Sequence, residues 1–166
     1  MSYENVKAYF EKLDLGERVI VRSHIGDTVE HAAQAIGCKP EHIAKTMSFL
    51  QNGKPVVICM AGDARVDNRK YKDCFHQKAV MIPGSQVEEL VGHIPGAVCP
   101  FALCDGVKVY LDVSLKRFET VYTAGGSLNS TVTVTPAELE QYIKGAAWVD
   151  VCKGWYINEE PNGSNL

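Results

Sequence analysis

The sequence predicts an α+β domain built on a mixed, curled, barrel-like β-sheet with short helices around it. Apolar runs of strand length are short and numerous, and they alternate with short helical patterns. Two Asx-Gly pairs, Asn52-Gly53 and Asp105-Gly106, sit between such runs and favour hairpin turns. Capping-box patterns at Asp27, Ser85 and Thr135 open helices between the strands. The strands are spaced too irregularly for a doubly wound nucleotide fold, and neither GxGxxG nor a Walker sequence occurs.

The elements follow in chain order. Tyr3, Val6, Phe10 and Leu13 recur at helical spacing, so the chain opens with an amphipathic helix. RVIV at 18–21 is a short strand. Asp27, with Glu30 three residues on, caps a helix that buries Ala32, Ala33 and Ile36 and ends at Gly37. Pro40 opens a helical turn, PEHIAK. AKTMSFLQ and VVICMAG form a hairpin around Asn52-Gly53. DNRKYKDCF is a short, mostly exposed helix, KAVMI a strand, and SQVE the capped start of a helix reaching Gly92. PFALC and VKVYLDVSL form a second hairpin around Asp105-Gly106. TVYTAGG and STVTVT are two strands around Gly125-Gly126. TPAE, with Pro136 at the first helical position, starts a helix to about residue 144, and WVDVC is the last strand.

At 166 residues and 18.2 kDa, the chain is expected to hold one domain, 1–153, followed by a polar tail, 154–166. A hydrophobic fraction of 46% with 22% charged residues is that of an ordinary soluble protein. A net charge of −3 excludes a general nucleic-acid coat, so any nucleic acid is engaged through a small footprint, and no DNA partner is expected. The first residues lack a signal peptide's apolar core, and no apolar run approaches the roughly 20 residues that span a bilayer. No membrane partner and a cytoplasmic location follow. The six cysteines, at 38, 59, 74, 99, 104 and 152, form no CxxC pair and read as reduced, mostly buried thiols. No metal and no cofactor are expected.

One stretch organises the rest. GHIPGAVCPFAL, residues 92–103, carries two glycines, two prolines, a histidine and a cysteine. Pro95 and Pro100 fix φ and remove donors, while Gly92 and Gly96 permit positive φ. The outcome is a stiff loop whose exposed amides can meet a carbonyl or phosphate, or simply a tight turn.

Four motifs in order then point to a family. KTMSF at 45–49, AGDARVDNRK at 61–70, GHIPGAVCPF at 92–101 and TAGGSLNSTVTVTPAEL at 123–139 resemble the YbaK and prolyl-tRNA synthetase editing domains over residues 27–151. The resemblance implies hydrolysis of the ester joining a wrong amino acid to the terminal adenosine of a transfer RNA. Its substrate would be the 3′ acceptor end of an aminoacyl-tRNA, with prolyl-tRNA synthetase as the candidate partner and a monomer or weak homodimer as the assembly. Backbone amides of the segment from Gly96 to Pro100, with Ala97, Val98 and Cys99 inside it and Pro100 closing it without a donor, would hold the carbonyl. A ribose hydroxyl of the substrate would help activate water. Lys45 would meet a terminal phosphate, and Thr46, Phe101, Gly125 and Gly126 would line the pocket. His93 would orient water or contact the amino acid, or have no role. Asp63, Arg65 and Asp67 would shape the RNA-facing rim or form a salt-bridged loop.

The chain departs from the family pattern at four places. Cys99 stands where Ser or Thr is common, Ala102 where Gly is common, and Ser127 and Leu128 where a basic residue is common. Thr46 resembles the cysteine-editing type rather than the alanine-editing type. Two alternatives stay open: a thiol hydrolase with Cys99 as nucleophile and His93 as base, and a non-catalytic module binding a nucleotide or a protein.

Overall fold

The computed structural model describes residues 2–23, 25 and 28–155. Its elements are α1 (Ser2–Glu11), β1 (Val19–Val21), α2 (Val29–Ile36), β2 (Ala44–Gln51), β3 (Lys54–Ala61), β4 (Arg65–Val66), α3 (Asn68–Phe75), α4 (Gly84–Val91), β5 (Lys108–Asp112), β6 (Val121–Ala124), β7 (Ser130–Val134), α5 (Pro136–Tyr142), β8 (Ala147–Val149) and β9 (Cys152–Lys153). The strands form a mixed four-stranded sheet β2-β3-β5-β8, an antiparallel sheet β1-β7-β6 and a two-stranded ladder β4-β9. The α+β class and mixed sheet are as the sequence predicts. The barrel does not close: among the described residues, a single bridge, Ile43 to Tyr122, links the two larger sheets. Among the described residues, no helix is long and apolar enough to cross a membrane.

Local chemistry explains the elements that were legible. Asn52 and Gly53 take φ of 54° and 78°, the double positive-φ turn that lets β2 and β3 twist together. Thr135 and Glu138 complete a reciprocal capping box, and Arg18 clamps the same glutamate through two contacts of 2.9 Å. Asp67 caps α3 by accepting from the amides of Arg69 and Lys70. Val6 and Phe10 of α1 are fully buried, and the Phe10 ring meets Phe101 edge-on at 4.7 Å. The first helix therefore backs the stretch at 92–103.

Several expectations are corrected. The helix at the N-terminus stops at Glu11, leaving Leu13 exposed. Thr28 caps α2, its hydroxyl accepting from the His31 amide, whereas Asp27 lies outside the described residues. Pro83 precedes α4 without a side-chain cap, so Ser85 is inside the helix and SQVE is no capping box. There is no hairpin at Asp105-Gly106, because β5 pairs in parallel with both β3 and β8. Residues 101–104 form no strand, since they bend at Phe101 and Ala102, where Ala102 is held at φ 54°. KAVMI supplies only a bridge from Met81 to Phe49. WVDVC divides between two sheets because Val151 turns inward, its amide donating to the buried Asp112 carboxylate at 2.9 Å. Of the cysteines, Cys59, Cys99 and Cys152 are buried, while Cys74 and Cys104 are exposed.

Candidate active site

Edge strand β2, helix α2, the β6–β7 pair and the loop at 96–98 enclose a cavity of about 340 Å³. Its β2 wall is open backbone. On the outer edge of β2, Leu50 and Ser48 bond to Val80 and Ile82, and Ile43 bridges Tyr122. Edge-facing groups alternate along a strand, so the N–H and C=O of Thr46 face the cavity. Thr46 Oγ1 is buried beside the thiol of its cross-strand partner Cys59, with no nitrogen or oxygen partner among the described residues. Burial in turn pushes the Cys59 thiol up to about 12.

Lys45 lines the same cavity. Its ammonium donates to the Gly62 carbonyl at 3.3 Å, and burial holds its pKa below the ordinary lysine value. Asp63, next in the chain, is clamped by Arg117 at 2.6 and 3.1 Å, and the guanidinium lies over the Phe118 and Trp155 rings. Asp63 and Asp67 are thus engaged within the fold, while Arg65 is exposed and does not line the cavity.

The loop opposite is a type II turn. Ala97 N–H donates to Ile94 C=O at 3.0 Å, with Pro95 at the second position and Gly96 at φ 86° in the third. Gly96 and Val98 line the cavity, and neither amide donates a hydrogen bond among the described residues. Ala97, Cys99, Pro100 and Phe101 are buried behind this face and do not line the cavity. Gly125 and Gly126 also lie off it; Gly126 receives a hydrogen bond from the Ser2 hydroxyl, and Ser127 and Leu128 reach the cavity instead.

His93 braces the loop from behind. It is fully buried, with Nε2 2.7 Å from the Phe101 carbonyl and 3.4 Å from Cys99 Sγ. The carbonyl can only accept, so Nε2 carries the proton and has no lone pair for the thiol. Burial lowers the His93 pKa and pushes the Cys99 thiol up to about 12. A thiolate nucleophile is therefore disfavoured both by protonation and by position. Cys99→Ala is expected to keep kcat/KM within about threefold while costing about 1 kcal/mol in stability; activity and urea unfolding check both.

Ala102 carries strain where the family pattern has glycine. An L-residue in the left-handed region costs about 1–2 kcal/mol, and glycine's extra unfolded-state entropy offsets about 0.5–1 of that. Ala102→Gly should therefore raise stability by about 0.5–1 kcal/mol, read from the urea midpoint at constant slope.

Sequence reasoning missed the polar wall of the cavity. Thr123, Ser130 and Thr131 are almost fully buried and line it. The signal was the alternation of Ser and Thr with Val in STVTV, read only as a strand. Among the described residues, no group of three or more His, Cys, Asp or Glu could hold a metal ion.

This cavity, with its strand edge, lysine and turn, can be compared with known proteins. Residues 25–142 match the aminoacyl-tRNA editing domain family. The chain belongs to that family. This editing domain is 43% identical over 156 residues to the uncharacterized protein YwhH of Bacillus subtilis, covering 93% of this chain and 99% of YwhH. It is 29% identical over 90 residues to the proline–tRNA ligase of Lysinibacillus sphaericus, covering 54% of this chain but 16% of the ligase. A solved structure of a candidate trans-editing enzyme for prolyl-tRNA synthetase superposes on the editing domain with TM-score 0.82 at 27% identity, covering 92% of this chain and 98% of that one.

Proposed function

We propose that this editing domain acts in trans, hydrolysing the ester of a small amino acid such as Cys, Ala or Ser mischarged onto tRNA-Pro. One observation carries the reading: Gly96 and Val98, whose amides donate no hydrogen bond among the described residues, line the same cavity as Lys45. The amides bind the ester carbonyl and the oxyanion that forms when water attacks it. The Thr46 peptide offers a donor and an acceptor to the aminoacyl backbone. Lys45, a compact point charge, meets a phosphate of the terminal nucleotides. The vicinal ribose hydroxyl positions the water, so no side-chain base is required. The apolar walls from Val29, Ile36 and Met47 leave room for a small side chain and reject larger ones by size.

The test is a deacylation panel of Ala-, Cys-, Ser- and Pro-charged tRNA-Pro. Selective release of one small amino acid is expected. Release of none by the folded protein would remove the tRNA-Pro assignment.

A further inference from the structure

A second groove lies away from the cavity, between α3 and the segment at 78–79. It is lined by Asn68, Arg69, Lys72, Lys78 and Ala79. Three of these are cations, on a chain whose net charge is −3. Arg69 and Lys72, three apart, share a face of α3. All three cations are exposed, and none makes an ion pair among the described residues.

Both walls are held rigidly. Asp67 caps α3, and Lys70 ties it to the Cys152 carbonyl at 2.9 Å and to Asp150 at 3.1 Å. Tyr71 is buried and its hydroxyl accepts from Gln51 at 2.9 Å. The opposite wall is pinned to the edge of β2 through Val80 and Ile82, and Gln77 accepts from the Asn52 amide. Cations on fixed backbone lose less freedom when they engage an anion than cations on a mobile tail.

Two further cations stand on the β4–β9 ladder that leads into α3. Arg65 and Lys153 are opposite each other in the β4–β9 ladder, and both are exposed. Cys152, beside Lys153, touches Met60 at 3.6 Å, and Met60 is the cross-strand partner of Lys45.

We propose that the groove of Arg69, Lys72 and Lys78 holds the phosphate backbone of the acceptor stem, with Arg65 and Lys153 continuing the track to Lys45. The proposal rests on reading the chain as an aminoacyl-tRNA hydrolase. A narrow cationic strip supplies the small footprint that a net-acidic chain needs for RNA, and such contacts position the RNA without reading its sequence.

The experiment compares wild type with Arg69→Ala/Lys72→Ala/Lys78→Ala and with the control Lys12→Ala/Lys144→Ala. Binding of uncharged tRNA is titrated by fluorescence anisotropy from 50 to 300 mM salt. Hydrolysis is measured on aminoacyl-tRNA and on the same amino acid esterified to a CCA trinucleotide. The triple variant should weaken tRNA binding about tenfold or more and lower the salt slope by about 3. Its kcat/KM ratio, tRNA over trinucleotide, should fall by a similar factor, while the control stays at wild type. Unchanged affinity and slope, or equal losses in triple variant and control, would overturn the groove while leaving the deacylase reading intact. Normal tRNA binding with lost association to prolyl-tRNA synthetase would overturn it in favour of an acidic protein surface. Should wild type hydrolyse neither ester yet bind tRNA as described, the groove stands and the deacylase reading fails.

Discussion

Replacing Lys45 with alanine is expected to lower kcat/KM for the sensitive aminoacyl-tRNA by about ten- to hundredfold. That corresponds to losing one charged hydrogen bond, about 1.5–3 kcal/mol. The fold should tolerate the change, because among the described residues the ammonium donates only to the Gly62 carbonyl, and its burial disfavours the charged form. With its folded pKa lowered, the folded state binds fewer protons than the unfolded state between that value and the ordinary lysine pKa. Wild-type stability therefore gains a component that rises with pH across this window and is fully present above it. Lys45→Ala removes that component, so its stability profile should be flatter on the alkaline side. Lys45→Arg should not restore activity, because a planar, broader guanidinium does not occupy the half-buried place of a point charge. Full activity in Lys45→Ala would sink the phosphate-anchor role outright.

The contrast with Cys99 shows what sequence spacing reveals and what it hides. A histidine and a cysteine six residues apart allowed a catalytic pair, and the side chains do meet. Spacing could not say that the Phe101 carbonyl takes the shared imidazole nitrogen, or that both groups lie behind the loop. The loop itself was readable, because Pro95 and Gly96 dictate their own backbone angles and so fix the type II turn. The β2–β3 hairpin and the Thr135 capping box were readable for the same reason: their chemistry is local. Asp105-Gly106 misled because Gly106 does take a positive φ of 86°, yet the following strand pairs in parallel with β3. A turn signal reports the turn and not the partner of the next strand. The polar wall from Thr123, Ser130 and Thr131 depends on how two sheets meet at Ile43 and Tyr122, a non-local fact with no mark in any one segment. Gly125 and Gly126 were assigned to the cavity by pattern, but Gly126 permits the close approach of the first turn of α1 and Gly125 that of Ser130.

Gly62→Ala should be the most damaging single substitution near the site. Conformational entropy alone favours it, since alanine restricts the unfolded chain by about 0.4–1 kcal/mol relative to glycine. Packing decides the opposite. A Cβ at position 62 would stand 2.0 Å from the Pro40 carbonyl oxygen and 2.9 Å from Val29 Cγ1. The first contact is with backbone in the turn Pro40–His42, which has no flexible end to swing aside. The added methyl must displace that turn, at about 2–3 kcal/mol by analogy with overpacked cores. The net loss should be about 1–2.5 kcal/mol, lowering the thermal midpoint by roughly 3–9 °C at this chain length. A functional effect accompanies it, because Gly62 supplies the carbonyl that holds Lys45 and Val29 belongs to the cavity wall. KM should rise even in the fraction that stays folded, whereas Ala102→Gly, which relieves strain on the opposite side of the site, should leave KM unchanged. An unaltered midpoint in Gly62→Ala would mean that the turn at Pro40 yields freely. Lys45 would then not owe its position to that contact.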